Sequence, residues 1–115
     1  MDSKTLANEI CKVLSAKKAK DIVTIEVKDM TVVTDYFVIA SGGSTTQVKA
    51  LFDYVDEAME KLEINYKRAD GINGAKWIAM DYGDVIVHIF MEETRQFYHL
   101  DRLWEKDGNV TKYED

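Results

Sequence analysis

Apolar residues recur along this chain at two spacings, in alternating blocks. In residues 3–16, Leu6, Ile10, Val13 and Leu14 follow a helical repeat, with Ala7 and Cys11 beside them. Ser3 is placed to cap this first helix. Residues 21–27 switch to strict alternation, Val23, Ile25 and Val27 against Thr24 and Glu26, which predicts a strand. Residues 34–41 are apolar on both faces in their middle and predict a central strand covered on both sides. Gly42-Gly43 ends that run. Ser44 opens a second helix: Ser44 and Gln47 have capping-box spacing, and Val48, Leu51, Phe52, Val55, Ala58, Met59 and Leu62 mark one broad apolar face. Residues 64–68 read as a short amphipathic strand, and residues 70–74 as a loop.

The stretch that follows carries the most information. Apolar runs at 76–82 and 85–91 flank Gly83-Asp84, a pair suited to a two-residue hairpin turn because glycine supplies positive φ. That turn sets Tyr82 opposite Val85, Met80 opposite Val87 and Ile78 opposite Ile89. On the other face Asp81 meets Ile86, Ala79 meets His88 and Trp77 meets Phe90. The first face is aliphatic and should lie on the helices. The second combines Trp77, Phe90, Asp81 and His88, a mixture suited to meeting a partner. Cover by a terminal helix fits the pattern equally well. Residues 92–104 predict a helix or a pair of short turns, with Phe97, Leu100, Leu103 and Trp104 on one stripe and Tyr98 at its edge. Arg95 and Tyr98 would extend the partner-binding face of Trp77, Asp81, His88 and Phe90. Residues 105–115 are polar and read as a loose tail.

With 115 residues, the chain is expected to form one domain, residues 1–104, ahead of that tail. Cys11 is the single cysteine, so no intrachain disulfide forms; on the apolar stripe it reads as core. A net charge of −6, from 21 acidic and 15 basic residues, argues against nonspecific binding to a phosphate backbone and permits a basic protein partner. The apolar runs fall short of the roughly 20 residues that cross a bilayer. Met1-Asp2-Ser3 has no secretory pattern. These features read as a soluble, cytoplasmic protein.

Candidate chemistry is thin. Gly42-Gly43-Ser44 between a strand and a helix suggests a phosphate cradle, but neither Gly-x-x-x-x-Gly-Lys-Ser/Thr nor Gly-x-Gly-x-x-Gly is present. A nucleotidyltransferase would need paired carboxylates on the next strand; Tyr66-Lys67-Arg68 stand there instead. His88, His99 and Cys11 show no metal-ligand spacing, and no activated nucleophile lies beside Asp81 and His88. The expectation is a binding protein with no catalytic residues, cofactor or metal.

The segments TDYFVIASGGSTTQV, WIAMDYGDVIVHIF and EETRQFYHLDRLW resemble the Iojap family, the ribosomal silencing factors. The likeness runs from Leu6 to Trp104. It rests on Asp35-Tyr36-Phe37, Ser41-Gly42, Trp77, Asp81, Gly83-Asp84, Val87-His88, Arg95, Tyr98 and Leu103-Trp104 taken together. The resemblance implies an α+β fold, layered as α/β: a mixed β-sheet of about five strands with helices packed on it, nucleotidyltransferase-like but without the catalytic carboxylates. It implies a translation repressor that binds the large ribosomal subunit through ribosomal protein uL-fourteen and sterically blocks joining of the small subunit under starvation. Organellar members are linked to subunit assembly, and members tend to pair as homodimers.

Overall fold

In the computed structural model, which describes residues 1–114, α1 (Ser3–Ala16) leads into β1 (Lys20–Glu26) and β2 (Tyr36–Gly42). Next come α2 (Thr45–Lys61), β3 (Arg68–Asp70), β4 (Trp77–Asp81) and β5 (Val85–Met91). Two short helices, α3 (Glu92–Tyr98) and α4 (Leu100–Trp104), precede β6 (Val110–Lys112). Among the described residues, the six strands form one mixed sheet in the order β3-β4-β5-β2-β1-β6. β2 and β5 run parallel and every other neighbouring pair antiparallel.

The hairpin has the register that a Gly83-Asp84 turn dictates. Trp77 lies opposite Phe90, Ile78 opposite Ile89, Ala79 opposite His88, Met80 opposite Val87 and Asp81 opposite Ile86. Tyr82 N–H donates to the Val85 carbonyl at 2.9 Å, and Gly83 has a φ of +92°. An Asp81 carboxylate oxygen accepts from Gly83 N–H at 2.7 Å and tightens the turn.

The two faces of the sheet differ in what covers them. Ile78, Met80, Val85, Val87 and Ile89 form the principal core with Leu6, Ile10 and Leu14 of α1 and Val48, Leu51, Val55 and Met59 of α2. All seven residues of β2 are buried, as a strand apolar on both faces requires. The other face holds a smaller cluster, Val23, Ile25, Val27, Phe37, Ile39 and Phe90, covered by Leu100, Trp104 and Val110.

Several local details depart from the sequence reading. The cap of α1 is Asp2, whose carboxylate accepts from Thr5 N–H at 2.8 Å; Ser3 is the first helical residue. A carboxylate there also favours the positive end of the helix dipole. Ser44 caps α2, accepting from Gln47 N–H at 3.1 Å, but Gln47 reaches past the cap to Gly43 N–H at 2.7 Å. The strand expected at 64–68 forms instead at Arg68–Asp70, because pairing with β4 puts Arg68 opposite Asp81. Ile64 and Tyr66 alternate because they pack on the core from a connection, outside any ladder. Of the two alternatives for residues 92–104, the divided one forms: two short helices meet at His99, which takes a left-handed conformation (φ 49°, ψ 46°). The tail is not loose throughout: β6 pairs with β1 and makes the sheet six strands wide. Among the described residues no helix is long and apolar enough to cross a membrane.

Candidate docking surface

The mixed face of the hairpin is half covered. α4 lies over the β1, β2 and β5 side, where Trp104 meets Phe37 edge-on at 5.1 Å. The β4 side stays open, leaving Trp77, Ala79, Asp81 and Ile86 partly exposed. The covering by a terminal helix thus holds for one half of this face, and the other half is left partly exposed.

The six residues singled out from the sequence divide accordingly. Phe90 has no accessible surface and His88 retains 8 %. Phe90 stacks under Trp77 (centroids 4.8 Å apart, planes 27° apart), so it acts as the floor beneath that ring. His88 Nδ1 accepts from Trp77 Nε1–H at 3.0 Å. Burial lowers the His88 pKa to about 4, so the imidazole is neutral and can accept. Tyr98 tilts against Trp77, at 5.0 Å, and is 49 % exposed. Asp81 is partly exposed while one of its oxygens serves the turn.

Arg95 points inward, its side chain only 11 % exposed. It donates to the Asp21 carbonyl at 2.7 Å, Ser41 Oγ at 2.9 Å and the Asp101 carboxylate at 2.8 Å. Burial pushes the Asp101 carboxyl up, but the hydrogen bond and charge of Arg95 outweigh it and hold the group below its ordinary range. Arg95 thus ties α3 and α4 to β1 and β2 and fixes where Tyr98 stands.

Phe97 was expected in the core stripe of the last helix. The break at His99 turns it outward, 78 % exposed, with its ring edge-on to Tyr98 at 5.1 Å. No glycine marks this break, so its position within residues 92–104 is not legible from spacing. Phe97, Tyr98 and Trp77 line a shallow depression of about 580 Å³, bounded by Gly71, Gly74, Lys76, Glu93 and Thr94. Gly71 (φ +83°) passes so close to Trp77 that a Cβ there would lie 2.0 Å from the Trp77 carbonyl oxygen, so this wall of the depression demands glycine.

At the strand–helix junction the side chains of Gln47 and Ser44 serve the local backbone. Gly43 N–H is taken by Gln47 and the Ser44 hydroxyl by the cap. Among the described residues no group of three or more His, Cys, Asp or Glu side chains is placed to hold a metal ion. Cys11 is buried, and burial pushes its thiol up to about 12, the behaviour of a core residue.

Comparison with known proteins gives one consistent relationship. A family model described as "Ribosomal silencing factor during starvation" matches residues 1–115. Ribosomal silencing factor RsfS of Bacillus subtilis is 32 % identical over 104 residues, covering 90 % of this chain and 88 % of the relative. The mouse protein named "Mitochondrial assembly of ribosomal large subunit protein 1" is 34 % identical over 94 residues, covering 79 % of this chain and 41 % of the relative. A crystal structure of a Chromobacterium violaceum protein superposes with a TM-score of 0.88 at 26 % identity, covering 95 % of this chain and 92 % of the other.

Proposed function

We propose that this protein, which belongs to the ribosomal silencing factor family, docks on the large ribosomal subunit through protein uL-fourteen and blocks small-subunit joining. The observation that carries this reading is the aromatic cluster of partly exposed Trp77 with exposed Phe97 and Tyr98 on the open side of the sheet. Large aromatic rings held rigidly at a surface are the groups that supply most interface affinity. Exposed Glu93 lines the same depression, on a chain of net charge −6, and suits a basic partner. Blocking needs only bulk: a body of 34 × 34 × 28 Å on the joining face leaves no room for a second large surface. The same reading takes the chain to act in the cytoplasm as a repressor of translation during starvation, and to pair as a homodimer when free.

Sucrose-gradient sedimentation of purified subunits tests it. Added protein should co-sediment with the large subunit and diminish the joined-ribosome peak without nucleotide or metal. Trp77→Ala should weaken large-subunit binding by about tenfold or more, a loss of roughly 1.4 kcal/mol. Undiminished joining with the protein still bound would refute the steric mechanism.

A second reading, a large-subunit assembly factor using the same docking surface, is favoured by the mouse relative, whose name describes mitochondrial assembly of the large ribosomal subunit. Depleting the protein separates the two: assembly predicts accumulated large-subunit precursors, whereas silencing predicts mature subunits that join too readily in starved cells.

A further inference from the structure

Histidine is an expensive residue at position 88. Its ring lies among Phe37 (edge-on, 5.0 Å), Phe90 (6.2 Å) and Trp77 (5.9 Å). Because Nδ1 accepts from Trp77, the ring proton belongs on Nε2. That nitrogen is buried and has no hydrogen-bond partner among the described residues. A buried donor left unpaired is destabilising, and an aliphatic side chain of similar volume would avoid the cost. Packing therefore does not account for the imidazole; its bond to the Trp77 indole does.

Phe90 constrains Trp77 incompletely. Stacking at 4.8 Å fixes the plane of the indole but not which edge faces the sheet, since a ring flip preserves the stack. The Nε1–H···Nδ1 bond distinguishes the two orientations. Tyr98, tilted against the indole at 5.0 Å, packs on the ring without selecting between them.

We propose that His88 is a positioning residue for docking, fixing the Trp77 indole in the single orientation that a partner meets. This rests on the docking reading above. Its advantage lies in preorganisation: ordering the ring before binding removes that entropic cost from association. Because burial keeps the imidazole neutral, Nδ1 remains an acceptor at neutral pH.

The test compares wild type, His88→Leu, His88→Asn and Trp77→Ala by thermal melting, by the indole N–H resonances and by affinity for purified large subunits. Asparagine Oδ1 stands about where Nδ1 does and can accept the same proton; leucine cannot. His88→Leu should melt no lower than wild type, shift the Trp77 indole resonance and speed its hydrogen exchange, with Trp104 as the internal control. Its affinity should fall about threefold to tenfold, the worth of one hydrogen bond, and His88→Asn should recover most of the loss. Wild-type affinity in His88→Leu, with Trp77→Ala weakened, would overturn the positioning role while sparing the docking reading. Wild-type affinity in Trp77→Ala would overturn the docking reading itself. Should His88→Leu fail to fold, the wild-type protein still decides: scalar coupling between Trp77 Nε1 and His88 Nδ1 supports the proposal, and its absence overturns it.

Discussion

At the scale of single residues, His88 shows how one environment sets both chemistry and stability. Desolvation lowers its pKa to about 4, against an ordinary 6.5. Between those values the unfolded chain binds a proton that the native protein excludes. Native stability is therefore undiminished by this group above about pH 6.5 and falls by about 3 kcal/mol as the pH drops through about 4, because the unfolded chain gains a proton that the buried ring resists. Urea unfolding across this range should show wild type losing stability more steeply than His88→Leu, which has nothing to protonate there. Parallel curves would mean that the imidazole stays accessible to protons in the folded state. Arg95 teaches the complementary lesson. It looked like a surface contact, yet its guanidinium is spent on three partners inside the molecule.

At the scale of elements, the segment from Glu92 through β6 decides what the sheet presents. α3 and α4 are too short to stand alone and make no side-chain cap hydrogen bond of their own. They are held by Arg95 at one end and by Asn109 at the other. Asn109 Nδ2 donates to the Glu26 carbonyl at 3.0 Å and the Trp104 carbonyl at 2.9 Å, and its Oδ1 accepts from Lys106 N–H at 2.7 Å. This one side chain joins α4, the turn after it and β1, with β6 continuing the ladder. Asn109→Ala should cost about 1–3 kcal/mol, since it leaves partly buried carbonyls unpaired. Hydrogen exchange should then quicken in α4 and β6 while α2 stays protected. Unchanged protection in both would show that β6 and Trp104 hold the cap without Asn109.

At the scale of the whole molecule, charge and aromatic surface have separable roles. On the proposed docking, the net charge of −6 would steer a long-range encounter with a basic partner, whereas the Trp77–Tyr98–Phe97 cluster would act only on contact. Raising salt should therefore slow association with large subunits, on the order of tenfold from low to physiological ionic strength, with little change in dissociation. Trp77→Ala should do the reverse, leaving association nearly intact and speeding dissociation. A salt-dependent dissociation rate would place ion pairs such as one made by Asp81 at the centre of the contact.

The sequence by itself determined what depends on neighbours along the chain. The two-residue turn at Gly83 fixed the hairpin register, and with it the sharing of one face by Trp77, Asp81, His88 and Phe90. Ser44 fixed where α2 begins, and the doubly apolar run around Ile39 fixed β2 as central. The family, too, was legible in residues spread from Asp35 to Trp104. Tertiary structure alone decided how that shared face is divided. Phe90 and His88 are sealed while Trp77 stays partly open because α4 covers one side only. α4 lies there because of bonds between residues far apart in sequence: Arg95 to Asp21 across 74 residues and Asn109 to Glu26 across 83. Periodicity assigns a side chain to a face, but burial of that face is a non-local quantity. The left-handed turn at His99 that exposes Phe97, and the register that moves β3 to Arg68–Asp70, arise from the same long-range packing.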